Sequence, residues 1–323
     1  MPAPISTDIA AAADHLRHGR LVALPTETVY GLGANALNPA AAAAIFAAKE
    51  RPAFDPLIIH QSSAERVLRY VREVPPAALK LAEAFWPGPL TLVLKKQPEI
   101  PDLVTAGLDT VAVRVPEHPL ALALLGRLDF PVAAPSANPF GFVSPTTARH
   151  VAAQLGDRID FILDGGPCAV GLESTIVGFT DGVPTVFRKG GLPLEDIEIV
   201  LGYPPAVRTH GSSRPEAPGM LSRHYSPGTP LEIFDSITMA TPRPPGSAWI
   251  RFGKGAAKSV EADGLHVYDL STAGDFAEAA QQLFRLLRLM AEKKYSYVAV
   301  ELLPETGLGR AINDRLRRAA ASE

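Results

Sequence analysis

A single cysteine in 323 residues, Cys168, leaves no internal disulfide to form and suits a reducing compartment. Its flanks, Gly165-Gly-Pro-Cys-Ala-Val170, offer neither a base nor a cation. Activated thiols need an electropositive setting, so Cys168 is expected to be buried and inert. No apolar run approaches the roughly 20 residues of a membrane span. The opening Met-Pro-Ala-Pro-Ile lacks a basic stretch followed by an apolar core, so a cytoplasmic, soluble protein is expected. Charge of one sign is also missing: the net value is −3. Residues 1–205 carry 16 basic and 21 acidic side chains, 206–228 three and one, and 229–323 twelve of each. A nucleic-acid binder that works by overall charge is therefore excluded, and any cationic site must be gathered locally by the fold. Gly-x-x-x-x-Gly-Lys-Ser/Thr, His-x-x-His, Cys-x-x-Cys and Gly-x-Ser-x-Gly are all absent. Their absence removes P-loop nucleotide binding, the usual tight metal spacings and the commonest serine-hydrolase signature.

Proline is plentiful, and its distribution marks a boundary. Nine of the 31 prolines fall between Pro204 and Pro245, a linker composition stiffened by proline. The expected organisation is a first domain over 1–205, a linker over 206–228 and a small α/β domain over 229–323.

The first part reads as α/β with a mixed sheet. Helices are predicted from Ser6 or Thr7 to Gly19, from Asn38-Pro39 to Lys49 and over Pro76–Trp86. Strands are expected at Leu21–Leu24, Leu57–His60, Leu90–Lys95, Val111–Val115, Val132–Ala134, Phe161–Leu163, Thr175–Phe179 and Thr185–Phe187. Closely spaced late strands argue against a purely parallel sheet. The last part reads as βαβ-like, with a long helix opening at Asp275, three residues ahead of Glu278.

Leu21-Val-Ala-Leu-Pro-Thr-Glu-Thr-Val-Tyr-Gly-Leu-Gly33 places four hydrogen-bonding side chains after a strand, where the sheet fixes the backbone and side chains reach a ligand. Gly31-Leu-Gly-Ala-Asn-Ala36 matches the dinucleotide fingerprint, but six residues separate the strand from its first glycine, where the fingerprint requires direct entry. A turn with unusual φ angles is the plainer reading of those glycines. Lys49 and Arg51 end a helix ahead of Pro52. The helix dipole favours cations there, and a polyphosphate would favour the same pair; both readings stand. Thr110 and Arg114 share one side of a strand, and an inward Arg requires an anion. Ala134-Pro-Ser-Ala-Asn138, Ser144, Ser174-Thr175 and Arg188-Lys-Gly-Gly191 repeat the pattern of polar groups at strand ends. The set binds and neutralises anions and contains no evident covalent nucleophile.

Pro25-Thr-Glu-Thr-Val-Tyr-Gly-Leu, Lys49-x-Arg-Pro, Pro56-Leu, Pro135-Ser-Ala-Asn and Ser174-Thr-Ile-Val resemble, in order and spacing, the YrdC-like L-threonylcarbamoyladenylate synthase family over about residues 8–200. Pro218-Gly-Met-Leu-Ser-Arg-His-Tyr-Ser-Pro227 is similar to the linker of its long, two-domain form. The resemblance implies a mixed twisted sheet with flanking helices and a concave cationic pocket, plus a smaller Rossmann-like domain. It implies formation of threonylcarbamoyl-AMP and pyrophosphate from L-threonine, bicarbonate and ATP, with Mg²⁺. The adenylate would pass to the proteins that transfer threonylcarbamoyl to a tRNA adenosine. Thr28, His60, Arg114, Ser174 and the backbone of Ala134 would surround threonine. Arg51, Asp55, Thr110, Ser136, Ser144, Arg188 and Tyr225 would contact the nucleotide, with Lys49 and Arg51 stabilising phosphate charge. Asp55 departs from the family pattern, which has an uncharged Asn there; it could point away, meet the ribose or bind Mg²⁺. Tyr225, in the linker, would make that segment a lid. Two other readings are a module making carbamoyl-adenylate and an RNA-binding factor without catalysis. The first lacks the acylphosphatase-like or kinase-like neighbour such modules have, and the acidic balance of 1–205 opposes the second.

Overall fold

In the computed structural model the described residues are 2–208, 225–238, 241–242, 244–253 and 265–321. They form two compact units. The first comprises Met1–Phe140, Ser144–Ala169 and Glu173–Leu221; the second comprises Ser222–Glu323 with Gly141–Val143 and Val170–Leu172. Residues 209–224, which hold most of the Pro218–Pro227 motif, lie outside the described residues.

The first unit is organised on β1 (Ile5–Ser6), β2 (Val22–Leu24), β3 (Gly31–Asn35), β4 (Ile58–His60), β5 (Leu90–Lys95), β6 (Thr110–Arg114), β7 (Val132–Ala133), β8 (Phe161–Leu163), β9 (Thr175–Thr180), β10 (Val183–Arg188) and β11 (Ala206–Val207). Their order is β1-β8-β2-β3-β7-β4-β6-β5-β9-β10-β11. The sheet is mixed as expected: β4 with β6 and β5 with β9 are parallel, while β5 with β6 and β9 with β10 are antiparallel.

Side-chain alternation gives this sheet two unlike faces. Ile59, Leu92, Leu94, Val111, Val113, Val177 and Val186 point into the large core under helices such as Pro39–Lys49 and Pro76–Phe85. Ile58, Val93, Ala112, Ile176 and Phe187 form a small apolar patch on the other face. His60, Thr91 and Arg114 share that second face by alternation.

Two expectations need correction. The first helix, Ile9–Arg17, is capped by Asp8, whose Oδ1 accepts Ala10 N–H at 2.8 Å and Ala11 N–H at 3.0 Å. Neither Ser6 nor Thr7 serves, because Ser6 belongs to β1, paired with β8. Gly31–Asn35 is a strand, not a turn, and it pairs antiparallel with β2. A Cβ on Gly33 would lie 2.7 Å from Leu24 and 2.9 Å from Val132. That glycine allows close strand packing and does not supply a special φ. The helix Pro39–Lys49 forms as predicted, with Asn38 accepting from Ala40 and Ala41 and proline in its first turn.

The second unit carries β12 (Leu231–Phe234), β13 (Ser247–Arg251), β14 (His266–Asp269) and β15 (Tyr297–Glu301) in the order β12-β15-β13-β14, all parallel. Its long helix Phe276–Lys293 has Asp275 as cap, accepting from Glu278 N–H at 2.8 Å. The reciprocal contact runs through Ser271, which donates to Glu278 Oε2 and accepts from Asp275 N–H. No helix among the described residues is long and apolar enough to cross a membrane.

Candidate active site

A polar row crosses the second face of the first unit. His60 on β4 is in register with Arg114 on β6. Thr91 on the next strand, β5, shares a 2.7 Å hydrogen bond with Ser174, which stands immediately before β9. Ser174 in turn accepts from Arg188, at the end of β10, at its hydroxyl (3.0 Å) and its carbonyl (3.0 Å). Adjacent strands thus deliver His60, Arg114, Thr91, Ser174 and Arg188 to one line. All of them are buried. Burial and the neighbouring guanidinium of Arg114 push His60 down to about 3, so its imidazole is neutral.

Arg114 already has an anion. Its Nη2 donates to Glu27 Oε1 at 2.7 Å, with both side chains about 5% exposed, and its Nε donates to Gly88 O at 3.2 Å. The anion that an inward Arg demands is thus supplied in part by this chain. Glu27 sits in the Pro25–Tyr30 loop joining β2 to β3. Thr26 folds that loop: its hydroxyl donates to Val29 O at 2.6 Å, which leaves Thr28 to donate to Thr26 at 2.8 Å. Tyr30 anchors the far end, donating to Gly166 O at 2.8 Å and accepting from Gly165 N–H at 3.1 Å. Cys168 is buried, and burial together with Glu27 pushes its thiol up to about 12, the inert state expected.

Lys49 is committed to the backbone. Its ammonium donates to Ser136 O and Asn138 O. Burial, and secondarily Arg51, pull its pKa well below the usual lysine range. Lys49 therefore clamps the Pro135–Asn138 loop against the end of its own helix. The same loop is stitched to β3 by Leu32 N–H to Pro135 O (2.7 Å) and Ala137 N–H to Tyr30 O (2.8 Å). Ala134 N–H is bonded to Ile58 O. Three motifs separated in sequence thus meet in one place.

Arg51 is held by its own turn. It donates to Asp55 O (3.2 Å) and Pro56 O (2.9 Å) and pairs with the Asp55 carboxylate at 2.9 Å. Asp55 is accordingly a buried counter-ion of Arg51, which accounts for an acid at this position. Ser144 donates to Glu173 Oε1 at 2.7 Å. Gly190 lies so close to Glu173 and Ser174 that a Cβ would meet Glu173 O at 2.3 Å. This close approach gives the Arg188-Lys-Gly-Gly motif its need for glycine. Thr110 stands at the opposite end of β6 from Arg114, about 13 Å away at strand spacing. It lines a cavity of about 460 Å³ with Lys95, Val93, Thr180 and Phe187. Tyr225 belongs to the second unit, where it is buried at a φ of 66°, stacked on Phe284, with Arg315 and Arg318 over its ring.

Sequence reasoning missed Thr91 and Glu173 and the pairing of Glu27. Alternation along Leu90–Lys95 puts Thr91 on the site face, a signal available from the sequence. Nothing local indicates that Glu27 reaches Arg114, 87 residues away.

The fold and this face define a two-unit α/β protein that gathers guanidinium, hydroxyl and imidazole groups over one side of a mixed sheet. Residues 14–190 match a family model described as Telomere recombination, and residues 192–321 match one described as Threonylcarbamoyl-AMP synthase, C-terminal domain. The threonylcarbamoyl-AMP synthase of Pyrococcus abyssi is 44% identical, with 97% of this chain and 94% of that protein covered. That of Bacillus subtilis is 40% identical over 97% and 92%. The crystal structure of P. abyssi Sua5 complexed with L-threonine superimposes with a TM-score of 0.87 at 40% identity, covering 99% of this chain and 97% of that one. The chain belongs to the two-domain threonylcarbamoyl-AMP synthase family.

Proposed function

We propose that the protein condenses L-threonine, bicarbonate and ATP into threonylcarbamoyl-AMP and pyrophosphate. The observation that carries this reading is the row from His60 through Arg114 to Ser174. It offers a cation, a neutral imidazole and hydroxyls on one rigid face, matching the carboxylate and hydroxyl of threonine. A relative of the same two-domain build is known in complex with that amino acid.

Threonine is held by Thr28, His60, Arg114, Ser174 and the backbone of Ala134. Its amine attacks bicarbonate, forming the N–C bond and releasing water. The resulting carbamate oxygen attacks the α-phosphorus of ATP, and pyrophosphate leaves. No enzyme nucleophile is needed, because the work lies in bringing two anions into line. Positioning of this kind contributes about 7–11 kcal/mol. Arg51, Ser136, Ser144 and Arg188 hold the phosphates. Lys49 spends two of its three N–H bonds on the loop carbonyls and retains one for a phosphate oxygen. Thr110 and the cavity beside it receive the nucleoside, and Asp55 acts through Arg51.

Among the described residues no group of three or more His, Cys, Asp or Glu could cage a metal ion. A Mg²⁺ brought in with ATP would be held by phosphate oxygens and water and would neutralise phosphate charge. The adenylate is consumed by a protein that transfers threonylcarbamoyl to a tRNA adenosine. The test is incubation with ATP, Mg²⁺, bicarbonate and each amino acid in turn, with products read by mass. A threonine-specific adenylate is expected; its absence with every amino acid overturns the reading.

A further inference from the structure

The Glu27–Arg114 pair is unusual for an anion site. Both side chains are buried and lie 2.7 Å apart, yet Glu27 Oε2 has no hydrogen-bond partner among the described residues. Arg114 uses Nε on Gly88 O and Nη2 on Glu27, which leaves Nη1 with no such contact. The pair therefore presents an unspent N–H donor beside an unspent carboxylate oxygen. A buried polar atom without a partner is costly unless a ligand supplies one. The groups around the pair do not fill this role. Cys168 is a buried neutral thiol, His60 is neutral, and His118, whose pKa is also lowered by burial, spends Nε2 on Gly165 O.

We propose that Glu27 is a specificity-determining residue that, paired with Arg114, makes the amino-acid site select a zwitterion over a simple carboxylate anion. This rests on the threonine reading above. Without Glu27, Arg114 would be a buried net cation that prefers any small anion, bicarbonate and pyrophosphate included. With Glu27 beside it the pair is neutral overall and dipolar. It attracts a ligand that carries a carboxylate and an ammonium a few ångströms apart and penalises one that carries the carboxylate alone. At such separations in a partly desolvated site one charge changes the preference by roughly tenfold or more. Glu27 acts in the first binding step, before any bond forms, which gives the acid in the Thr28 loop its purpose.

The test measures binding, without catalysis, by calorimetry on the full-length protein. The ligands are threonine and its analogue carrying a hydroxyl in place of the α-ammonium. Wild-type protein is expected to bind threonine at least about tenfold more tightly than the analogue, and Glu27→Gln should shrink or invert that ratio. Glu27→Asp, which keeps the charge, should restore it; thermal melting checks that each variant is folded. An equal loss for both ligands in Glu27→Gln would show that Glu27 only positions Arg114 and would overturn the proposal. A ratio unchanged in Glu27→Asp and Glu27→Gln alike would overturn it as well. Wild-type protein that binds neither ligand would instead overturn the threonine reading and this inference with it.

Discussion

In the proposed assignment the amino-acid end rests mainly on strands, with His60 on β4, Arg114 on β6 and Ser174 at the mouth of β9, and with Thr28 in the β2–β3 loop. The proposed phosphate end rests more on turns, with Arg51 just ahead of the Pro52–Pro56 bend that carries Asp55 and Ser136 in the Pro135–Asn138 loop, and with Arg188 alone closing a strand, β10. Strand residues take their direction from the sheet, so their spacing is fixed by register and needs little support. Turn residues require clamps, and the structure supplies one for each. Lys49 holds the Ser136 loop by its carbonyls, and Asp55 holds Arg51 by its guanidinium. The amino-acid end is rigid by architecture and the phosphate end by local ion pairs and hydrogen bonds, so mutations at the two ends should fail in different ways.

The largest effect should come from Arg114→Ala. It removes the carboxylate ligand and strands Glu27, and breaking a buried pair costs about 3–5 kcal/mol of stability. Product formation should fall by roughly a thousandfold or more, with a lower melting temperature. Near-normal activity would break the strand-borne half of the comparison. Lys49→Met comes next. Its loop carbonyls lose a charged donor, worth about 1.5–3 kcal/mol for one such bond, and the KM for ATP should rise about tenfold while threonine affinity changes less. Steady-state kinetics in both substrates would show this, and an equal rise in both constants would refute the clamp assignment. A smaller change is expected from Asp55→Asn, which leaves Arg51 its hydrogen bond but removes the competing charge. ATP affinity should improve a few-fold, about 1 kcal/mol or less, and the melting temperature should fall, because the pair is buried. Weaker ATP binding would show that the Asp55 charge supports nucleotide binding and does not compete with it.

A separate expected signal is one of pH. His60 is held near 3 in the folded protein, below the roughly 6.5 of an unfolded histidine. Between those values the unfolded chain binds more protons, so stability rises with pH across that window and is lost as pH falls through it. Melting temperatures recorded across this range for the wild type and His60→Gln should show a shallower slope in the variant.

The difference between the two ends also decides what could be read from the sequence. Alternation along Thr110–Arg114 placed Arg114 on an inward face, and the motifs at Ser174 and Arg188 marked the strand ends beside it. The helix ending at Lys49 was equally visible, but whether its cation served the dipole or a phosphate could not be decided. The carbonyls that accept from it belong to Ser136 and Asn138, nearly ninety residues on. Asp55 looked anomalous because its explanation is a pairing across a turn. Glu27 was visible as one of four polar groups after β2, but its partner was not, because only the β2–β3 hairpin brings it to Arg114. The glycines Gly31 and Gly33 misled because a strand that needs close packing and a turn that needs free φ use the same residue.

The most direct test of this division is a pair of calorimetric titrations, ATP and threonine each into Arg114→Ala and Arg51→Ala. A double dissociation is expected. Arg114→Ala should lose threonine and keep ATP affinity within about threefold, and Arg51→Ala should do the reverse. If either variant loses both ligands while remaining folded, the two ends are one site and the division proposed here is wrong.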